Sequence, residues 1–76
     1  MAQQLVEAAQ QLGLSIETSQ SGRWVRLHGQ QGDVYVVSAA WGHDYYTWRD
    51  EPDAAVSPPY RDPIEALQAG LRQITY

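Results

Sequence analysis

The chain has 76 residues, nine acidic side chains against five basic ones, and a net charge of −4. With no cysteine it has neither a disulfide nor a thiolate for a zinc site. No apolar run reaches the roughly 18 residues that a membrane-spanning helix needs.

A chain of this length buries only about 60% of the surface it exposes when unfolded. It therefore reads as one small domain over residues 1–76, held by layers of secondary structure and helped by self-association. Apolar residues make up 43% of it, too many for a disordered chain. The start, Met1 to Gly13, lacks the basic and long apolar stretches of a secretory leader, so the expected location is cytoplasmic. All the basic residues are arginine: Arg23, Arg26, Arg49, Arg61 and Arg72. They do not gather into the basic face of a nucleic-acid binder, and nucleic acid is not the expected partner.

Residues 3–12 carry Leu5, Ala9 and Leu12 at helical spacing, with glutamines and Glu7 on the opposite face. Gly13 stands where a left-handed cap belongs, and Leu14 is placed to fold back on the last turn. Residues 14–19 suit a short strand with Ile16 inward, ended by the turn signal Ser21-Gly22.

Residues 23–28 and 33–39 are the clearest strands, rich in β-branched and aromatic side chains. A turn at Gln30-Gln31 pairs Leu27 with Val34 and Val25 with Val36 on one face. On the other face it pairs His28 with Asp33, Arg26 with Tyr35, and Trp24 with Val37. Gln-Gln is not a favoured pair for a tight hairpin. The segment Ala39–Asp44 turns the chain into a further strand at 44–49. A two-residue and a four-residue loop differ in register but not in parity. Either one places Tyr46 and Trp48 with Tyr35 and Val37, and Tyr45 and Thr47 with Val34 and Val36.

Residues 50–61 hold Pro52, Pro58 and Pro59 and read as a crossing loop pinned to the body by Val56 or Tyr60. Asp62, Pro63 and Glu65 form an N-terminal box for a helix over 63–73, with Ile64, Leu67, Leu71 and Ile74 along one stripe. Gly70 inside that stripe costs about 1 kcal/mol against alanine, which a close approach to the sheet would explain.

The expected fold is α+β, a small antiparallel sheet of three or four strands with the N- and C-terminal helices on one face. The order is α-β-β-β-β-α or α-β-β-β-α. The helices are expected on the aliphatic face of Val25, Leu27, Val34, Val36 and Tyr45. The opposite assignment, with the aromatics as core, leaves an apolar face seeking cover as well. The shorter order resembles that of the double-stranded RNA-binding module, a family that grips phosphates with lysines at the start of its second helix. Here Asp62, Pro63 and Glu65 occupy that position and repel phosphate, so the resemblance ends at element order.

Eight side chains are tryptophan or tyrosine and none is phenylalanine. Six of them, Trp24, Tyr35, Trp41, Tyr45, Tyr46 and Trp48, fall in one stretch. Both types carry a polar handle that suits a half-exposed surface. The candidate binding residues are Trp24, Arg26, Tyr35, Trp41, Tyr46 and Trp48, a set that fits a protein contact surface with arginine beside aromatics. The expected partner is a second copy of the chain (a homodimer) or another protein. A single-stranded nucleic-acid binder, stacking bases on these rings, or an acidic nucleic-acid mimic is the alternative.

Trp41 sits in or beside a turn, either as part of a ligand loop or as a cap on an open end of the core. His28 and Asp33 read as a surface pair beside a turn, with no nucleophile set against them. His43 and Asp44, with Asp50, Glu51 and Asp53, match no metal-ligand spacing and read as a solvated acidic loop. No catalytic residue, cofactor or metal is expected, and no enzymatic activity.

Overall fold

In the computed structural model, which describes residues 4–39 and 44–75, helix α1 (Gln4–Gln11) is followed by four strands and helix α2 (Pro63–Ile74). The strands are β1 (Ile16–Thr18), β2 (Trp24–Gly29), β3 (Gly32–Ser38) and β4 (Tyr45–Arg49), in one antiparallel sheet of order β1-β2-β3-β4. This is the longer of the two expected orders, and its extra strand departs from the RNA-binding module's arrangement. The expected pairing across β2 and β3 holds in every row, from Trp24 opposite Val37 to His28 opposite Asp33. Between β3 and β4, Ser38 faces Tyr45 and the Ala39 N–H donates to the Asp44 carbonyl at 3.0 Å. That register requires the longer connection, residues 40–43.

Local chemistry explains where the elements end. The Leu14 N–H reaches back to the Ala9 carbonyl at 3.0 Å and the Gly13 N–H to Gln10 at 3.0 Å, with Gly13 at φ +69°. This paired closure satisfies two carbonyls at the end of α1 and turns Leu14 onto the core. The Gln30-Gln31 hairpin avoids the residue preference against it because neither glutamine takes positive φ; Gly32 does, at φ +120°. Asp62 caps α2 by accepting from the Ile64 N–H at 3.0 Å, with Pro63 in the first turn where a missing N–H costs nothing.

Both helices lie on one sheet face, α2 across β2, β3 and β4 and α1 against α2 and β2. The buried core there comprises Leu5, Ala8, Ala9, Val25, Leu27, Val34, Val36, Tyr45, Ala66, Leu67 and Ile74. The aliphatic face is therefore the covered one. A Cβ on Gly70 would lie 3.2 Å from Val34 Cγ1 and 3.4 Å from Val36 Cγ2, so glycine lets α2 settle onto the middle of the sheet.

The carboxyl end of α2 is clamped to the strands. Arg49 Nη1 donates to the Gln73 carbonyl at 2.9 Å and Nη2 to the Gln31 carbonyl at 2.6 Å. A cation at this helix end also opposes the helix dipole. Gln73 Nε2 donates to Thr47 Oγ1 at 2.8 Å, which satisfies a threonine otherwise enclosed in the core.

The crossing loop covers the free edge of β4. Tyr45 and Tyr60 exchange backbone hydrogen bonds at 2.7 and 2.8 Å, and the Ser57 N–H donates to the Thr47 carbonyl at 2.9 Å. Pro58 and Pro59 sit within this segment, where they offer no N–H to a further strand. Tyr60 is the anchor; Val56, 56% exposed, is not, because the chain is held at Ser57 and Tyr60 on either side of the prolines.

Candidate aromatic binding face

Strand parity sends Trp24 and Arg26 of β2, Tyr35 and Val37 of β3, and Tyr46 and Trp48 of β4 away from the helices. The two indoles flank Tyr35. The Trp24 ring is edge-on to it, with centroids 5.4 Å apart and planes at 84°, and the Trp48 ring is tilted by 51° at 6.2 Å. Trp48 is 47% exposed, whereas Trp24, Tyr35, Val37 and Tyr46 are half-buried by one another. The face is thus an aromatic row with its outermost indole open to solvent.

Beside Trp24, Tyr35, Val37 and Trp48 lies a concavity of about 420 Å³, completed by Arg49, Asp50 and Glu51 at the end of β4. This volume falls in the range of small-ligand and side-chain sites.

Next to the aromatic row runs a chain of ion pairs. Arg26 Nη2 lies 2.7 Å from Asp33 Oδ2 and 2.7 Å from Asp50 Oδ2, and its Nε donates to Asp33 Oδ2 at 3.1 Å. The same guanidinium carbon stands 5.4 Å from the Tyr35 ring centre, a cation–π distance. His28 Nδ1 is 2.9 Å from Asp33 Oδ1, and Nε2 is 3.2 Å from Glu17 Oε1. Hydrogen bonds from Arg26 and then His28 hold the Asp33 carboxyl below its usual range, and the bond to Asp33 raises the Arg26 guanidinium.

The structure brings four of the candidate residues, Trp24, Arg26, Tyr35 and Trp48, into one contacting group. Tyr46 shares their face opposite Val37, one row away. Trp41 and His43 lie outside the described residues. Of the acidic residues, Asp50 pairs with Arg26, Glu51 Oε1 lies 3.6 Å from Arg49 Nε, and Asp62 caps α2. They therefore serve different elements, and among the described residues no His, Asp or Glu cluster has the geometry of a metal site.

Three residues escape a reading by residue type, two on this face and Arg49 on the helix side of β4, opposite Val34. Glu17 joins the open face because Ile16 points inward, which sends the next side chain outward. Asp50 continues the parity of Tyr46 and Trp48, a signal present in the sequence and masked by its place among loop acids. Arg49 and its hold on α2 had no local signal, because its partners are backbone carbonyls distant in the chain.

The chain matches no protein-family model, and neither a curated protein nor a solved structure is significantly similar to it. Among the described residues no helix is long and apolar enough to cross a membrane.

Proposed function

We propose that the protein is a cytoplasmic, non-enzymatic interaction module whose contact surface is the sheet face opposite the helices. One observation carries the reading: the row Trp24–Tyr35–Trp48 stands on a sheet face that neither α1 nor α2 covers, with its outer indole half-exposed. Aromatic side chains beside arginine dominate the energetics of protein contacts, and an exposed cluster of this kind on a small protein favours association.

The electrostatics support a protein partner over a nucleic acid. Arg26, the cation best placed among the rings, faces two carboxylates rather than solvent. Both nitrogens of His28 are likewise occupied by carboxylates, which favours a structural role over proton transfer.

The reading is tested by sedimentation equilibrium with tryptophan emission recorded on the same samples, on the wild type and on Trp48→Ala. Association, of the chain with itself or with a recovered partner protein, that weakens in the variant while its circular dichroism is retained is the expected result. A wild-type monomer at high micromolar concentration, with no partner recovered that Trp48→Ala loses, would overturn it.

A further inference from the structure

Resting on that reading, the chemistry of the concavity narrows the kind of partner. Its apolar lining is inclined aromatic rings, Trp24 and Trp48 on either side of Tyr35, and its other border carries the carboxylates of Asp50 and Glu51. Ring faces carry negative quadrupole potential and attract a cation, most strongly at tryptophan. Charges around the concavity add in the same direction. Of the charged residues that line it, Asp50 and Glu51 outnumber Arg49, and each carboxylate leaves one oxygen outside its ion pair with Arg26 or Arg49. Arg49 directs two of its nitrogens to the carbonyls of Gln73 and Gln31, away from any incoming group. Arg26 already shows that Tyr35 accepts a guanidinium at cation–π distance with a carboxylate beside it.

We infer that this concavity receives an arginine side chain from a basic segment of a partner protein. The planar guanidinium stacks on an indole while its forked N–H donors reach the carboxylates of Asp50 and Glu51, which a point charge such as an ammonium matches less well. A second copy of the chain is the poorer occupant, because two molecules of net charge −4 repel each other.

The test uses the intact isotope-labelled protein and the acetylated, amidated tripeptide Gly-Arg-Gly, with a counterpart carrying neutral, isosteric citrulline. Saturable shifts of the Trp24 and Trp48 indole N–H signals are expected at millimolar peptide, the range of one side chain's binding energy, of roughly 4 kcal/mol. Citrulline should bind at least about fivefold more weakly, since it lacks the cation. Glu51→Gln, an exposed change that leaves the core untouched, should weaken the arginine peptide about twofold to threefold. Trp48→Ala should abolish the saturable response at Trp24.

Equal binding of the citrulline peptide, or shifts that map away from the two indoles, would overturn the arginine site. A dimer in peptide-free samples that buries Trp48 would also overturn it while leaving the open face as a contact surface. No association and no response anywhere on the face would sink both readings.

Discussion

The backbone N–H of Gln31 donates to the carbonyl oxygen of Ile74 at 2.9 Å, tying the tip of the β2–β3 hairpin to the last turn of α2. The approach is close because Gly29, beside that turn, has no side chain. A Cβ there would overlap the Ile74 carbonyl oxygen and come within 2.7 Å of Ile74 Cγ1.

Gly29→Ala should therefore force the helix end and hairpin apart, at a cost of about 1–3 kcal/mol. Gly13→Ala provides the contrast. Nothing lies within 4 Å of a Cβ at Gly13, so only its left-handed φ of +69° is strained, at roughly 1–2 kcal/mol. Urea titration followed by circular dichroism measures both. Hydrogen exchange at Gln31 separates them, since only Gly29→Ala should speed it.

Arg49 closes the same end of α2 from β4. Arg49→Lys keeps the charge but loses the fork that reaches the Gln73 and Gln31 carbonyls together, so about 1–2 kcal/mol of stability should be lost. Arg49→Ala should cost about 2–3 kcal/mol, since it removes the charge from the helix end as well. If the two variants unfold at the wild-type urea midpoint, the clamp contributes nothing to the fold.

Asp33 gives the protein a defined acid response. Arg26 first, and His28 second, lower its carboxyl in the folded chain. A carboxyl held lower when folded than when unfolded stabilises above its unfolded value, and this contribution disappears as pH falls through the folded one. The urea midpoint should thus drop on acidification from about pH 6 to about pH 3, and Asp33→Asn should flatten that drop. Arg26→Gln should show a different profile. It leaves Asp33 and Asp50 facing each other, with the Asp50 N–H on the Asp33 carbonyl at 3.0 Å. Their repulsion weakens the fold near neutrality and is relieved by protonation, so the gap to wild type should narrow toward acid. A gap that widens instead would refute the assigned role of Arg26.

Much of this arrangement is legible in residue order because it depends on short-range rules. Strand parity, with an even-length loop between β2 and β3, separates Val25, Leu27, Val34 and Val36 from Trp24, Arg26, Tyr35 and Val37. The left-handed Gly13 and the Asp62 cap act through neighbours within a turn of helix. What parity cannot convey is which side chains converge over distance. Arg26 meets Asp50 across 24 positions and Arg49 meets Gln73 across another 24, and both depend on how strands and α2 are stacked. The anchoring of the crossing loop is of the same kind. Tyr60 pairs through its backbone, so side-chain hydrophobicity alone does not separate it from Val56.

The two faces of the sheet should respond in opposite ways to loss of a large side chain. Leu67 is fully buried between α2 and the sheet, and Leu67→Ala should cost about 2–5 kcal/mol as transfer energy and a cavity combine. Trp48 is larger, yet it stands 47% exposed with Tyr35 as its ring neighbour, so Trp48→Ala should cost no more than about 1 kcal/mol. Association should invert that order. Trp48→Ala removes the outermost ring of the open face, while Leu67→Ala, measured where it is still folded, leaves that face intact. Urea midpoints, with sedimentation and recovery of partner protein, on the same two proteins provide the comparison. A Trp48→Ala variant as unstable as Leu67→Ala would mean that the indole is part of the core, and the open face would lose its claim as a contact surface.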